Sequence, residues 1–163
     1  MATYSAIAHN FTPPTATTSA QVGAGAMTLI KTLTASSSGT ISFQDGSSDV
    51  VMDNTYKTYI FTYIDVHPET DNVTFGFQGN ASGESGFNES IQSAVFRAQE
   101  DESNSDSNFL YNPAADQTNG TSFQKLCDNG VGNGNDESMS GELWVFNPSN
   151  TTFQTNFMSV NNM

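Results

Sequence analysis

Cationic side chains and sulfur are scarce in this sequence. Its 163 residues include 4 Lys plus Arg against 17 Asp plus Glu, and a single cysteine. The four cations stand singly along the chain, as Lys31, Lys57, Arg97 and Lys125. Binding a phosphate backbone requires clustered cations that release counterions, so we expect no nucleic acid partner. One thiol, Cys127, cannot form an intrachain disulfide, and packing alone must hold the fold.

Long apolar runs are also absent. No stretch approaches the roughly 20 residues that a membrane span needs. Residues Met1 to Asn10 lack the basic and apolar regions of a secretory signal. The net charge of -13 repels an anionic bilayer. We therefore expect no membrane association, no signal peptide and synthesis in the cytoplasm.

Catalytic and zinc-binding patterns are missing as well. The two histidines, His9 and His67, lie far apart and neither has a nucleophile close in sequence. Ser and Asp are so numerous that their presence does not indicate a catalytic triad. One cysteine and two distant histidines do not make a zinc site. The sequence predicts a protein that is not an enzyme and carries no cofactor.

The first 26 residues differ in composition from the rest. They are rich in Ala and Thr and carry Pro13-Pro14, which favours an extended path. We predict an extended N-terminal arm over residues 1–26 that reaches onto a neighbouring subunit; the alternative is a flexible tail. The contact residues predicted in this arm are Tyr4, Ile7, Phe11, Pro13 and Pro14.

The body, residues 27–163, shows apolar residues with a period of two. Leu29 and Leu33 alternate with polar neighbours, and Ile41 and Phe43 do so after a Ser-rich turn, which predicts a hairpin. Further strands are predicted over 56–65, 73–78, 91–98, 121–126, 142–147 and 153–160. No helical stripe is found. The pattern predicts an all-β fold, a single antiparallel β-sandwich of jelly-roll type.

One predicted strand, Tyr56 to Asp65, is apolar on both faces. Such a strand is typical of the middle of a sheet, with one face on the core and the other on a partner. Its aromatic row of Tyr59, Phe61 and Tyr63 is therefore predicted to lie in a buried layer or an assembly interface.

Trp144 lies on a second doubly apolar strand, between Leu143 and Val145. Trp144 and Phe146 share one strand face. Packing in a core or an interface is the first interpretation of this face. The alternative is that Trp144 stacks on a sugar ring, which makes it a candidate glycan contact.

Two acidic, turn-rich segments, Glu100 to Asn108 and Asp128 to Ser140, are predicted to be exposed loops. The second segment supplies hard oxygen ligands of the kind that calcium favours. The weak calcium candidates are Asp128, Asn133, Asn135, Asp136 and Glu137. Their spacing does not fit an EF-hand, so we expect a solvated loop and no metal.

Several stretches resemble small virion proteins of marine tailed bacteriophages. They are TLIKTLTASSSGTISF (28–43), YKTYIFTYIDVHPETDNVTFGFQ (56–78), SGESGFNES (82–90) and GNGNDESMSGELWVFNPSNTTF (132–153). The resemblance implies a β-sandwich that sits on a phage particle. Its motifs are structural and include no catalytic signature. The stretch before Met27 departs from the pattern of that group.

These observations lead to one hypothesis and one alternative. The hypothesis is a phage capsid decoration (cement) protein that binds the shell exterior through its arm and sandwich surface. Its expected partners are other virion proteins, the major capsid protein first, and copies of itself, with a trimer among the candidate oligomers. The alternative is a tail or head fibre module that binds a host-surface glycan.

Overall fold

The computed structural model describes residues 27–100, 103, 105–127 and 129–163. The chain divides into two units, Met1–Thr34 and Ala35–Met163. Residues 27–34 of the first unit are without strand or helix. The predicted arm and its five contact residues lie outside the described residues.

The described residues of the second unit form nine short strands. They are β1 (Thr58–Val66), β2 (Gly76–Phe77), β3 (Ile91–Gln92), β4 (Phe96–Glu100), β5 (Ser107–Tyr111), β6 (Thr118–Gly120), β7 (Gln124–Lys125), β8 (Met139–Phe146) and β9 (Asn156–Asn162). Regular structure in the described residues is confined to strands, so the all-β prediction is confirmed. Those residues include no helix that is long and apolar enough to cross a membrane.

The strands pair into four separate antiparallel sheets. The largest has three strands in the order β1-β8-β9, and the others are the pairs β2-β7, β3-β6 and β4-β5. A jelly-roll sandwich has two larger sheets packed face to face. The small separate sheets confirm antiparallel pairing but do not confirm the jelly-roll sandwich.

The position of β1 differs from the prediction. The strand forms where it was expected, but it lies at an edge of the three-stranded sheet and β8 lies in the middle. Along β1, the inward side chain Tyr59 is 4% exposed and the outward Ile64 is 73% exposed. The prediction that this strand lies in the middle of a sheet is therefore wrong, whereas a partner on its outer face stays a prediction. The central strand β8 pairs along both edges, with β1 and with β9.

The core lies against the inner face of this sheet. Its buried cluster consists of Leu126, Cys127, Val131, Met139 and Leu143. Aromatic rings from the sheet and from the β2-β7 region pack edge to face around it: Tyr63 with Phe75 at 5.2 Å between centroids, and Phe77 with Phe157 at 4.9 Å. Phe75 and Phe77 both pack against the core cluster.

The hairpin predicted around the Ser-rich turn does not form. No strand occurs in the described residues before Thr58, and Leu29 and Ile41 are 81% and 45% exposed. Within the Ser-rich turn, the hydroxyl of Ser38 donates to the backbone carbonyl of Ser36 at 3.2 Å. Short polar side chains that bond nearby backbone groups compete with strand pairing, which explains the failure of the period-two signal here.

The C-terminal strand pair forms as predicted. Asn150 donates its N–H to the carbonyl of Asn147 at 3.1 Å, which closes a turn after β8. Asn147 itself has a φ of 52°, a conformation that asparagine tolerates well. The turn and a short extended segment then lead into β9, which returns antiparallel to β8.

Candidate functional site

The aromatic row predicted as an assembly contact is used inside the chain. Tyr59 is buried, and Phe61 and Tyr63 pack against the core cluster. The hydroxyl of Tyr59 donates to the carbonyl of Asp53 at 2.8 Å. Burial raises the pKa of Tyr63 to about 12, with smaller contributions from Cys127 and Glu142. These rings therefore face the interior, and a partner surface has to be sought elsewhere.

The opposite face of the same sheet is open and largely apolar; we call it the outer face. Register places Ile60, Trp144 and Met158 in one row across β1, β8 and β9. The flanking rows are Thr62, Glu142 and Val160 on one side, and Thr58, Phe146 and Asn156 on the other. Opposed residues in paired strands point to the same face, so these side chains form one surface.

Several outer-face side chains stand well into solvent. Met158 is 51% exposed, Val160 is 67% exposed and Ile64, the next outward residue of β1, is 73% exposed. Trp144 and Phe146 are half-buried, with ring centroids 6.4 Å apart. Exposed apolar side chains grouped on one sheet face are typical of an interaction site.

One carboxylate borders the indole on this face. The Nε1–H of Trp144 donates to Oε2 of Glu142 at 3.0 Å, so the ring is held in a fixed orientation on β8. Glu142 is exposed and is the charged residue among the paired positions of the outer face. One negative charge therefore lies within the outer face, next to its largest aromatic side chain.

The calcium candidates lie on a loop that bonds to itself and to its neighbours. Asp128 is outside the described residues; Asn133, Asn135, Asp136 and Glu137 are exposed. The side chain of Asn133 donates to the carbonyl of Glu69 at 3.2 Å, and Glu137 accepts the N–H of Gly134 at 2.6 Å. No group of three acidic, His or Cys side chains suited to a metal occurs in the part of the chain that the structure describes.

The histidine and the thiol that the structure describes have structural partners. Nδ1 of His67 lies 2.8 Å from the backbone oxygen of Glu137, which joins the end of β1 to the acidic loop. Cys127 is 4% exposed, and its sulfur accepts the N–H of Phe75 at 3.1 Å. Cys127 is therefore a buried free thiol, and these hydrogen bonds join neither residue to a nucleophile or a base.

A second surface was missed by the sequence analysis. Part of the segment predicted as a loop over 100–108 is paired, since Glu100 ends β4 and Ser107 begins β5. These two strands form a hairpin whose exposed face carries Phe96, Phe109 and Tyr111. The signal available in the sequence was the alternation of Phe109 and Tyr111 just after the acidic tip. Strand pairing was needed to bring Phe96 beside them.

Comparisons of the chain with protein family models, with curated proteins and with solved structures find no match.

Proposed function

We propose that this chain is a non-enzymatic structural protein that attaches to a larger protein assembly through the outer face of its three-stranded sheet. The observation that carries the proposal is the set of exposed apolar side chains on that face, in particular Ile64, Met158 and Val160. A partner surface that covers the face removes this apolar area from water, which is the main driving force of protein association.

The outer face has the features of an interface core. Fully burying an aliphatic side chain contributes about 1.5–3 kcal/mol to the free energy of binding. The sum of these contributions has to exceed the entropy lost on association. Trp144, oriented by Glu142, supplies the large aromatic anchor that dominates many interfaces.

The assembly that we propose is a bacteriophage particle, with the chain as a capsid decoration protein in the virion. The support is the resemblance of the blocks 28–43, 56–78, 82–90 and 132–153 to small phage virion proteins. The proposed partners are the major capsid protein and further copies of the chain. A β-sandwich arrangement is part of this proposal, since a second layer on the outer face would complete one.

Co-sedimentation with phage particles stripped of this protein tests the proposal. The triple variant Ile64→Ser, Met158→Gln, Val160→Thr removes apolar area from the outer face at exposed positions. The matched control triple, Ile41→Ser, Phe123→Ser, Phe153→Ser, changes side chains that are 45%, 50% and 74% exposed elsewhere. We expect wild type and control to pellet with the particles and the outer-face variant to stay in the supernatant. Equal pelleting of all three would refute the proposal.

Deletion of residues 1–26 tests the contribution of the predicted arm separately. We expect the truncated chain to remain folded, with nearly the same melting temperature, and to lose attachment to particles. If the truncated chain binds particles as well as the full chain, the arm has no part in attachment. The outer face would then be sufficient for attachment by itself.

A second candidate function is glycan binding by a fibre module. The half-exposed ring of Trp144 with the Glu142 carboxylate beside it favours this alternative, because sugars are held by an aromatic face and adjacent hydrogen-bonding groups. Binding of the wild-type chain to a glycan array, lost in Trp144→Ala, together with no binding to particles, would select the glycan function.

A further inference from the structure

The β4-β5 hairpin presents three aromatic rings to solvent on one face. Phe96 pairs with Tyr111, and Ala98 pairs with Phe109, so the three rings share a face. Their exposed fractions are 61% for Phe96, 73% for Phe109 and 51% for Tyr111. Three adjacent rings left this open to water are costly for a chain that acts alone, which marks the hairpin as a binding surface.

The rings are ordered against one another. Phe96 and Phe109 stack with centroids 6.0 Å apart and planes 4° apart, and Tyr111 lies 5.5 Å from Phe96. Pre-arranged rings lose little side-chain entropy on binding. This surface belongs to a different sheet from the outer face and is independent of the function proposed above.

Carboxylates lie at both ends of the aromatic surface. Glu100 is exposed on the same strand face, opposite Ser107, and a shallow depression of about 510 Å³ is lined in part by these residues and Phe109. At the other end the hydroxyl of Tyr111 donates to the carboxylate of Asp116. That hydrogen bond raises the pKa of Tyr111, so the phenol stays neutral.

The tip of the hairpin adds further negative charge. In sequence it carries Asp101, Glu102 and Asp106 after Glu100. The side-chain amides of Gln99 and Asn108 donate to Asp106 at 2.6 and 2.5 Å, which holds that carboxylate at the base of the tip.

This combination selects a cationic partner. An aromatic face attracts a guanidinium through the ring quadrupole, and a carboxylate beside it accepts hydrogen bonds from the same group. A polyanion is repelled by the carboxylates at both ends, and a neutral sugar makes no use of their charge. Arginine fits best, because its planar, weakly hydrated head stacks on rings and its stem covers apolar surface.

We propose that the exposed face of the β4-β5 hairpin binds a protein segment in which arginine alternates with apolar side chains. The arginines stack on Phe96, Phe109 and Tyr111 and pair with Glu100 and Asp116. The apolar side chains of the segment cover what remains of the aromatic surface.

Calorimetric titration of the full chain with a pentapeptide of alternating arginine and leucine tests this proposal. The double variant Phe96→Ala, Phe109→Ala removes the stacked pair. If the double variant melts at a lower temperature than wild type, the single variant Phe109→Ala replaces it in the binding test. The control is Phe153→Ala, which removes a ring that is 74% exposed elsewhere. A second peptide with citrulline in place of arginine keeps the shape and loses the charge.

We expect the double variant to weaken binding of the arginine peptide about tenfold and the single variant about threefold, with the control unchanged. Binding should also weaken as salt is raised from about 0.1 M to about 1 M. Equal binding by wild type and both ring variants would overturn the proposal in favour of general attraction to an acidic chain. Equal binding of the citrulline peptide would overturn it too. The proposal would also be overturned if the chain bound maltohexaose through these rings and did not bind the arginine peptide. That result would assign the surface to neutral glycans.

Discussion

The hydroxyl of Tyr63 on β1 donates a hydrogen bond to the side-chain amide oxygen of Asn161 on β9, across the intervening strand β8. The two residues lie opposite Gly141 of β8, one on each side of it. The amide nitrogen of Asn161 donates onward to the carbonyl of Leu126 at 2.7 Å. One chain of hydrogen bonds therefore links both edge strands of the sheet to the segment beneath it.

Tyr63→Phe should lower the free energy of unfolding by about 1–3 kcal/mol, because it leaves the amide oxygen of Asn161 without this donor in a partly buried site. Urea titration measures the change. The control is Tyr111→Phe, which removes a hydroxyl whose hydrogen bond to Asp116 is exposed to solvent; its loss should stay within about 0.5 kcal/mol. Equal losses in the two variants would contradict a special role for the Tyr63 bond.

Stability should fall between about pH 10 and about pH 12. The pKa of Tyr63 is raised to about 12 in the folded chain by burial, whereas an unfolded tyrosine titrates near 10. The unfolded state therefore loses its proton first, so this contribution is complete below about pH 10 and is lost as the pH rises toward 12. Burial also raises the pKa of Tyr59, so part of the slope should persist in Tyr63→Phe. An identical slope in that variant and wild type would rule out Tyr63 as its source.

Gly141→Ala should be destabilising by about 1–3 kcal/mol through overpacking. A Cβ at this position would lie 2.5 Å from the side-chain oxygen of Asn161 and 2.6 Å from the carbonyl of Val160. The matched control is Gly39→Ala, where a Cβ meets nothing within 4 Å. Melting curves of the two variants should separate clearly. Equal melting temperatures would mean that the sheet yields at Gly141 without cost.

Leu143→Ala and Trp144→Ala test the two faces of β8. Leu143 is 5% exposed in the core cluster, and its truncation should cost about 2–5 kcal/mol. Trp144 lies half-buried on the outer face, so its truncation should cost less than that of Leu143 in denaturant titration of the isolated chain. A larger loss for Trp144 would indicate that the outer face is already covered, and would remove it as the attachment surface.

Neutralising Asp101, Glu102 and Asp106 together should leave folding nearly unchanged, because Asp106 is exposed and the acidic tip is predicted to be solvated. Thermal melts of wild type and this variant in calcium and in chelator measure it. A melting temperature that rises with calcium in wild type and not in the variant would reveal a metal site at the tip.

Period-two alternation was enough to predict that β1, β8 and β9 exist, and where they lie to within a few residues. It also separated Leu143 from Trp144, because successive residues of any strand point to opposite faces. The same signal failed around Leu29 and Ile41, since alternation predicts a strand only where an edge is available for pairing and local turns do not satisfy the backbone first.

Strand order and the two candidate surfaces were decided by tertiary structure. Whether β1 or β8 is central depends on which edges pair, and β1 meets β8 across more than seventy residues of sequence. The bond between Tyr63 and Asn161 and the stack of Phe96 on Phe109 likewise join residues from different strands. A sequence records which faces of a strand are apolar. Which of those faces is buried and which stays open to a partner is set by long-range pairing, whose free energy depends on all the strands at once.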